Sequence, residues 1–479
     1  TVAADHGSLH LPGELPPMSD VNAILDHVDA NIDASLGRLF DLLRIPSIST
    51  DPAYRDDCRK AGQWLVHDLN GMGFDASLRD TPGHPMVVAH YAGPEGSPHV
   101  LFYGHYDVQP ADPLEKWNTP PFEPQLVDGE DGIKRIYARG ANDDKGQLMT
   151  FIEASRAWIN ETGGLPFSVT VLCEGEEESG SPSLDPFLEA NKAELSRAVA
   201  LVCDTGMWDP DTPAISTRLR GLAHEEVTII GPRIDLHSGF YGGAAHNPIH
   251  VLTSILAEMR DADGHITIPG FYDGVPELPE ATAAQWEGLN FDEGKFLGDI
   301  GLTTPAGETG RSVLEMTWSR PTLEVNGIFG GYTGQGTKTV IPSQATAKVS
   351  MRLVGQQDPA HVLKVFRKFI EDRLPDGCQV RWGGRSEGSP GIEIPEDNPW
   401  LKKAAKALED EWNKPTVLMG CGGSIPVVRS FEDILGMKSI LVGFGLPDDA
   451  LHSPNEKYNL KCFHKGIRSW VRIIGQLAA

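Results

Sequence analysis

No stretch of the sequence approaches the ~20 consecutive apolar residues that a membrane-spanning helix requires, so no such helix is expected among these residues. Cysteine is scarce and scattered. Cys58, Cys173, Cys203, Cys378, Cys421 and Cys462 form no CxxC and no paired spacing. Neither a disulfide framework nor a thiolate zinc knuckle is expected, and a reducing, cytoplasmic compartment is the simpler reading. Positive charge is in deficit: 41 Lys and Arg stand against 67 Asp and Glu, a formal charge of −26. That balance repels phosphate backbones and anionic lipid, which argues against nucleic acid and membrane surfaces as partners. Internal repeats and low-complexity tracts are also missing. Residues 1–17 hold no basic stretch followed by an apolar core, so no secretory signal is read there, and Met18 reads as the start of the folded chain.

What is present is a globular composition, 40% hydrophobic and 23% charged, over 479 residues. That length exceeds one ordinary core and predicts two domains. Apolar residues at helical spacing mark Ser19 to Leu43 and Cys58 to Met72. Short β-branched and aromatic runs follow: MVVAHY, HVLFY, FSVTVLC, VALVC and SILVGF. Being apolar on both faces, they read as strands of a mainly parallel sheet, with helices such as Lys145 to Asn160 between them. After about Pro213 the runs alternate apolar and polar, as in HEEVTIIG, TLEVNGI and ATAKVSMRLV. Two helices with a cap followed by proline, at Asn247-Pro248 and Asp358-Pro359, accompany these half-exposed strands. The expected architecture is therefore an α/β domain from residues 18–213 and 390–479, interrupted by an inserted α+β domain over 214–389. Ile268 to Thr317 reads as a surface excursion of the insert.

Ionisable residues collect just after the parallel runs. HVLFY leads to His105 and Asp107, FSVTVLC to Glu174 and Glu176-Glu177-Glu178, VALVC to Asp204, and SILVGF to a loop holding His452. Asp143 and Asp144 precede a helix. Ligand sites in open α/β sheets form beyond the carboxyl ends of the strands, so these loops are expected to meet at one edge. Imidazole and carboxylate without thiolate suit Zn²⁺, Mn²⁺ or a similar ion. Carboxylates packed so closely repel unless cations intervene, and two ions sharing one carboxylate would resolve the conflict. Taken singly, a strand-end His or Asp is more often a turn former, and a triple Glu is more often a solvated face near a helix start. Five such groups after five separate elements are hard to explain as surface decoration.

In order and spacing, GHYDVQP, ARGANDDKG, EGEEESGS, DLHSGFYGG, GGSIPV and HSPNEKY resemble the signatures of the carnosinase-like dinuclear metallopeptidases. These are the cytosolic non-specific dipeptidases and their bacterial relatives, kin of aminoacylase-1 and acetylornithine deacetylase. The resemblance runs from about Asn22 to the end. It implies a zinc-exopeptidase-like catalytic domain with an inserted lid and dimerisation domain, and two divalent ions, Zn or Mn, per subunit. His105 and Asp204 are then implied as ligands of one ion, Glu178 and His452 of the other, with Asp143 bridging. Glu177 matches the general base and Asp107 the carboxylate that orients His105. Glu176 falls where relatives vary and reads as non-catalytic.

His237 resembles a histidine that contacts the reacting oxygen from the neighbouring subunit of a homodimer; its plain alternative is a turn residue beside Gly239. Thr339 in KTVIP is implied to reach across the same dimer. Arg352 resembles the arginine that forks onto a substrate's terminal carboxylate, and Gly423 and Ser424 belong to the loop that assists it. Gly420-Cys421 stand where carnosinase-like dipeptidases typically carry Arg-Glu. Cys421 has no histidine or other base nearby in sequence to activate it as a nucleophile. The expected activity is hydrolysis of dipeptides or short peptides with a free C-terminal carboxylate. An N-acyl or N-carbamoyl amino-acid hydrolase is the nearest alternative, and a metal-stabilised binding protein without turnover the more distant one.

Overall fold

The computed structural model describes residues 19–383, 388–423 and 425–479. The chain divides into two compact units. One comprises the residues up to Ser216 with Ile394–Leu418 and Val427–Ala479; the other comprises Thr217–Glu393 and Met419–Pro426.

The first unit is built on a mixed sheet with a parallel centre. Ser168–Glu174, His99–His105, Ala200–Val202 and Ser439–Val442 lie side by side, each parallel to the next. Antiparallel partners flank them: Met86–Tyr91 followed by Asp75–Arg79 on one side, and, on the other, Ile215 and Ser216 from the start of strand Ala214–Leu219. The central strands carry no polar face. Val100, Leu101, Phe102 and Tyr103 are all fully buried, as are Val169, Val171 and Leu172. A parallel centre demands this, because helices cover both of its faces. Helix Lys145–Thr162 lays Phe151 flat on Phe102, with ring centroids 3.8 Å apart. Trp470, from the terminal helix Leu460–Ala478, meets both rings edge-on at 5.8 and 5.4 Å. The helical pattern of residues 19–43 resolves into two helices, Ser19–Ala30 and Ile32–Leu43. Asn31 breaks them: its φ of −115° and ψ of 12° leave the helical region, and its side-chain amide donates to the carbonyl of His27.

The second unit holds an antiparallel sheet in the order Thr322–Gly330, Gln344–Leu353, Gly221–Ile230, Gln379–Gly383. Helices Pro248–Glu258 and Pro359–Glu371 cover one face, burying Ala223, Val227, Leu252, Met351 and Phe366 in a common core. Both helices open as the cap-proline pattern predicts. Asn247 accepts from the backbone of Ile249 at 2.9 Å and Asp358 from that of Ala360 at 3.0 Å, each with proline at the first turn. The excursion between them folds into short helices, including Glu280–Gly288, Glu293–Asp299 and Val313–Trp318. No helix of the described residues is long and apolar enough to cross a membrane.

Candidate metal centre

Strand register assembles the first part of the site. Tyr103 lies opposite Val202 in the parallel pair, so two residues further on His105 and Asp204 emerge together. The His105 Nε2 stands 3.9 Å from an Asp204 oxygen. On the other side His105 pairs with Glu174, after which the chain turns through Gly175 into the short 3-10 helix Glu177–Ser179. Asp143 arrives from the loop ahead of helix Lys145–Thr162. One of its oxygens lies 3.0 Å from His105 Nε2 and the other 3.1 Å from His452 Nε2. Glu178 completes the second group, 3.3 Å from the same His452 nitrogen. Two sets of donors result, His105 with Asp143 and Asp204, and Asp143 with Glu178 and His452. Within each set the donor atoms all lie within 4.8 Å of one another, and the sets share Asp143. Nitrogen and oxygen donors without sulfur fit Zn²⁺ or Mn²⁺.

Buried partners hold these groups in place. His105 Nδ1 donates to the Asp107 carbonyl at 3.1 Å, which turns Nε2 toward the cluster. The fully buried Asp107 carboxylate accepts from the backbone N–H groups of Glu177 and Glu178, at 3.3 and 3.0 Å. Gln109 donates to the Glu178 carboxylate at 2.7 Å. Glu456 ties down the Asp143 loop: it accepts from Arg139 at 2.8 Å and from the backbones of Gly140, Asn142 and Asp143 at 2.9, 3.0 and 3.1 Å. His452 itself has φ 59°, an uncommon left-handed conformation for a non-glycine residue.

The electrostatics are those of carboxylates crowded out of water. Burial, with the charge of Asp143 next, pushes the Glu178 carboxyl up to about 8. Burial also raises Asp204 well above the carboxylate range, and Glu177 in the same direction. His452 rises to about 9, chiefly through its hydrogen bond to Asp143. For His105 burial pulls downward, but hydrogen bonds to Asp107 and Asp143 outweigh it and the imidazole rises well above its usual value. Such groups coexist either by holding protons or by holding cations. Glu177 lies outside both donor sets, and its carboxylate accepts no hydrogen bond from the described residues.

The remaining sequence-derived candidates belong to the second unit. His237 and Thr339 are neighbours: His237 pairs with Val340, and the Ser238 N–H donates to the Thr339 carbonyl at 3.0 Å. His237 is exposed, and its Nδ1 accepts from the Gly239 N–H at 3.0 Å, leaving Nε2 without a partner among the described residues. Arg352 is half-buried near the end of strand Gln344–Leu353. The Gly423 carbonyl accepts from the Arg220 N–H at 3.2 Å. Ser424 lies outside the described residues.

Sequence reasoning passed over Gln109, Glu456 and Arg220. The first two sat inside quoted motifs, as the Gln of GHYDVQP and the Glu of HSPNEKY. Glu176, read as non-catalytic, proves to be a buried clasp, accepting from the backbones of His84 at 2.7 Å and Ser183 at 3.1 Å.

The fold and the paired donor sets define a metallopeptidase-like centre. The chain belongs to peptidase family M20/M25/M40, whose model matches residues 101–476. It is 31% identical to the Cys-Gly metallodipeptidase dug1 of Schizosaccharomyces pombe, over 96% of this chain and 98% of the relative. The crystal structure of human carnosine dipeptidase 1 superposes with a TM-score of 0.76 at 27% identity, covering 97% of this chain and 100% of that one. An M20 family metallo-carboxypeptidase from Sulfolobus solfataricus gives the same TM-score at 28% identity, over 93% and 99% of the two chains.

Proposed function

We propose that this chain is a two-metal dipeptidase that cleaves the amide bond of dipeptides or short peptides bearing a free C-terminal carboxylate. The observation that carries the reading is the placement of Asp143, one oxygen toward His105 and the other toward His452. On this reading His105, Asp143 and Asp204 hold one ion, and Asp143, Glu178 and His452 the other, with Zn or Mn as the ions. Bound there, the pair supplies Lewis acidity and a water acidic enough to be deprotonated near neutral pH. Glu177, adjacent to Glu178 and unengaged by protein donors, would take a proton from the attacking water and pass it to the departing amine. Asp107 fixes the tautomer of His105 and the backbone of the Glu177-Glu178 turn together. His237 donates to the oxygen on which charge develops, from the partner subunit of a homodimer, with Thr339 beside it. Arg352 grips the terminal carboxylate, assisted by Gly423 and Ser424.

Residues 18–213 and 390–479 are assigned to catalysis, and 214–389 to a lid and dimerisation role. All six cysteines are free thiols, in keeping with a cytoplasmic setting. One observation favours an N-acyl or N-carbamoyl amino acid as the alternative substrate: Gly420-Cys421-Gly422-Gly423 offers no acid for a free amino group. The deciding experiment assays Mn²⁺- or Zn²⁺-loaded protein on matched dipeptides and their N-acylated and N-carbamoyl counterparts. Turnover of dipeptides supports the proposal; turnover of the blocked compounds alone replaces it with the alternative.

A further inference from the structure

Arg220 and Arg352 both lie in the second unit, where the strand register brings them together. Arg352 stands opposite Leu222 and Leu353 opposite Gly221, so Arg220, the residue just ahead of strand Gly221–Ile230, lies diagonal to Arg352 at the end of that pairing. Long side chains at such positions reach one another. That face is turned away from the core, into which Ala223, Met351 and Leu353 point. Arg220 is anchored by its own environment. Its Nε donates to the Gly422 carbonyl at 3.0 Å, its Nη1 to the Met316 carbonyl at 3.4 Å, and its backbone N–H to the Gly423 carbonyl at 3.2 Å. A Cβ added at Gly422 would sit 3.0 Å from Nη2, so the glycine leaves that end of the guanidinium open. Nη2 has no acceptor among the described residues.

The charge around the pair is unbalanced. In a chain with 67 acidic residues, Arg139, Arg156, Arg218 and Arg320 each meet a carboxylate. Among the described residues Arg220 and Arg352 meet none. Glu324, on the neighbouring strand, is engaged by Arg260 at 3.3 Å. Burial first, and then the positive charge of Arg352, lower Arg220 to about 10. The carbonyls of Gly422 and Met316, with a smaller pull from Cys421 and Glu324, offset part of the cost of desolvating Arg220 beside another cation, and an anion supplied from outside would offset more. One α-carboxylate saturates the planar fork of Arg352 and leaves the Nη2 edge of Arg220 for a second oxyanion.

We infer that Arg220 and Arg352 form a dicarboxylate site that selects substrates whose C-terminal residue is Asp or Glu. This rests on the dipeptidase reading, which assigns the terminal carboxylate to Arg352. The test compares kcat/KM for Ala-Glu and the isosteric Ala-Gln on metal-loaded protein. Ala-Glu is expected to be preferred about tenfold or more, mainly through KM, the scale of one charge-assisted hydrogen bond. In Arg220→Gln the ratio is expected to fall toward one, and in Arg220→Lys to an intermediate value. A purely structural role for Arg220 as a clamp on the 421–423 turn would depress both substrates equally and leave the ratio intact. That result, or a wild-type ratio near one, overturns the inference. If the wild type cleaves neither dipeptide, the dipeptidase reading fails on its own account. Calorimetric titration with free L-glutamate and L-glutamine then decides the arginine pair: tighter glutamate binding supports the site, and equal binding removes it.

Discussion

Asp143 presents one carboxylate oxygen to each of two histidines, and every neighbouring residue can be ranked by how it serves that arrangement. Glu177 belongs to neither donor set, and in the proposed function it has the proton transfer alone. Glu177→Gln keeps the shape and removes the base, so kcat is expected to fall about 10²–10⁴-fold, with metal content by elemental analysis unchanged. A variant that retained wild-type turnover would remove the proton-transfer role. Glu456 serves position alone: fully buried, it collects Arg139 and the three backbone N–H groups around Asp143. An amide at 456 offers one acceptor and turns a donor toward donors. Glu456→Gln is therefore expected to weaken metal binding about 10–100-fold, as loss of a partner that orients a ligand does, measured by competition with a chelator. Unchanged affinity would make Glu456 a residue of the fold and not of the centre.

At the scale of elements, the sheet edge does what its sequence implied. Apolar runs that show no polar face, such as HVLFY and FSVTVLC, are central parallel strands, and the acids and histidines that end them fall side by side because parallel register sets Tyr103 opposite Val202 and His105 opposite Glu174, with Asp204 two residues beyond Val202. What the sequence did not reveal is the set of partners that hold the loops. Gln109, Glu176 and Glu456 make their bonds to backbone N–H groups or to a carboxylate oxygen of the cluster, and such bonds depend on loop conformation, which leaves no periodic trace. The break at Asn31 was missed for a related reason, since one side-chain bond to a backbone carbonyl interrupts a pattern that is apolar-periodic on both sides. The start of strand His99–His105 carries its own pH dependence. Arg197 Nε donates to His99 Nε2 at 2.9 Å, so that nitrogen must be unprotonated. Burial, then the charges of Arg197 and His90, push His99 down to about 4, while Glu194 is held by Arg79 and His90. The folded value lies below the unfolded value of about 6.5. The unfolded chain therefore binds the extra proton, and this contribution, complete above pH 6.5, is lost as pH falls toward 4. Urea titrations at pH 7 and pH 5 should show a smaller loss for His99→Gln than for wild type; equal losses would place the dependence elsewhere.

Over the whole molecule, the formal charge of −26 means that almost any cation should relieve some self-repulsion, so metal-dependent stability by itself is weak support for a specific centre. The two effects differ in how they saturate and where they act. A divalent ion held only by the native centre stabilises by about 2.7 kcal/mol at a free concentration 100 times its dissociation constant. That corresponds to a rise in melting temperature of at most roughly 5–10 °C, the scale for about 150–250 residues, since the unit that holds the centre is larger. General screening grows steadily with salt and is indifferent to any one side chain. Chelator-treated protein is therefore expected to melt lower, to recover with micromolar Mn²⁺ or Zn²⁺, and not to recover with an equal ionic strength of NaCl. Asp143→Asn, which takes the shared carboxylate from both donor sets at once, should abolish that recovery while leaving the salt response in place. Hydrogen exchange should locate the gain: protection added by metal is expected at residues 104–109, 139–144, 175–180, 203–205 and 449–457, and not on the sheet of the second unit, whose core of Val227, Leu252, Met351 and Phe366 is complete without the cluster. Protection spread evenly over both units, or a full metal response in Asp143→Asn, would mean that the ions act on the net charge and not at a shared carboxylate.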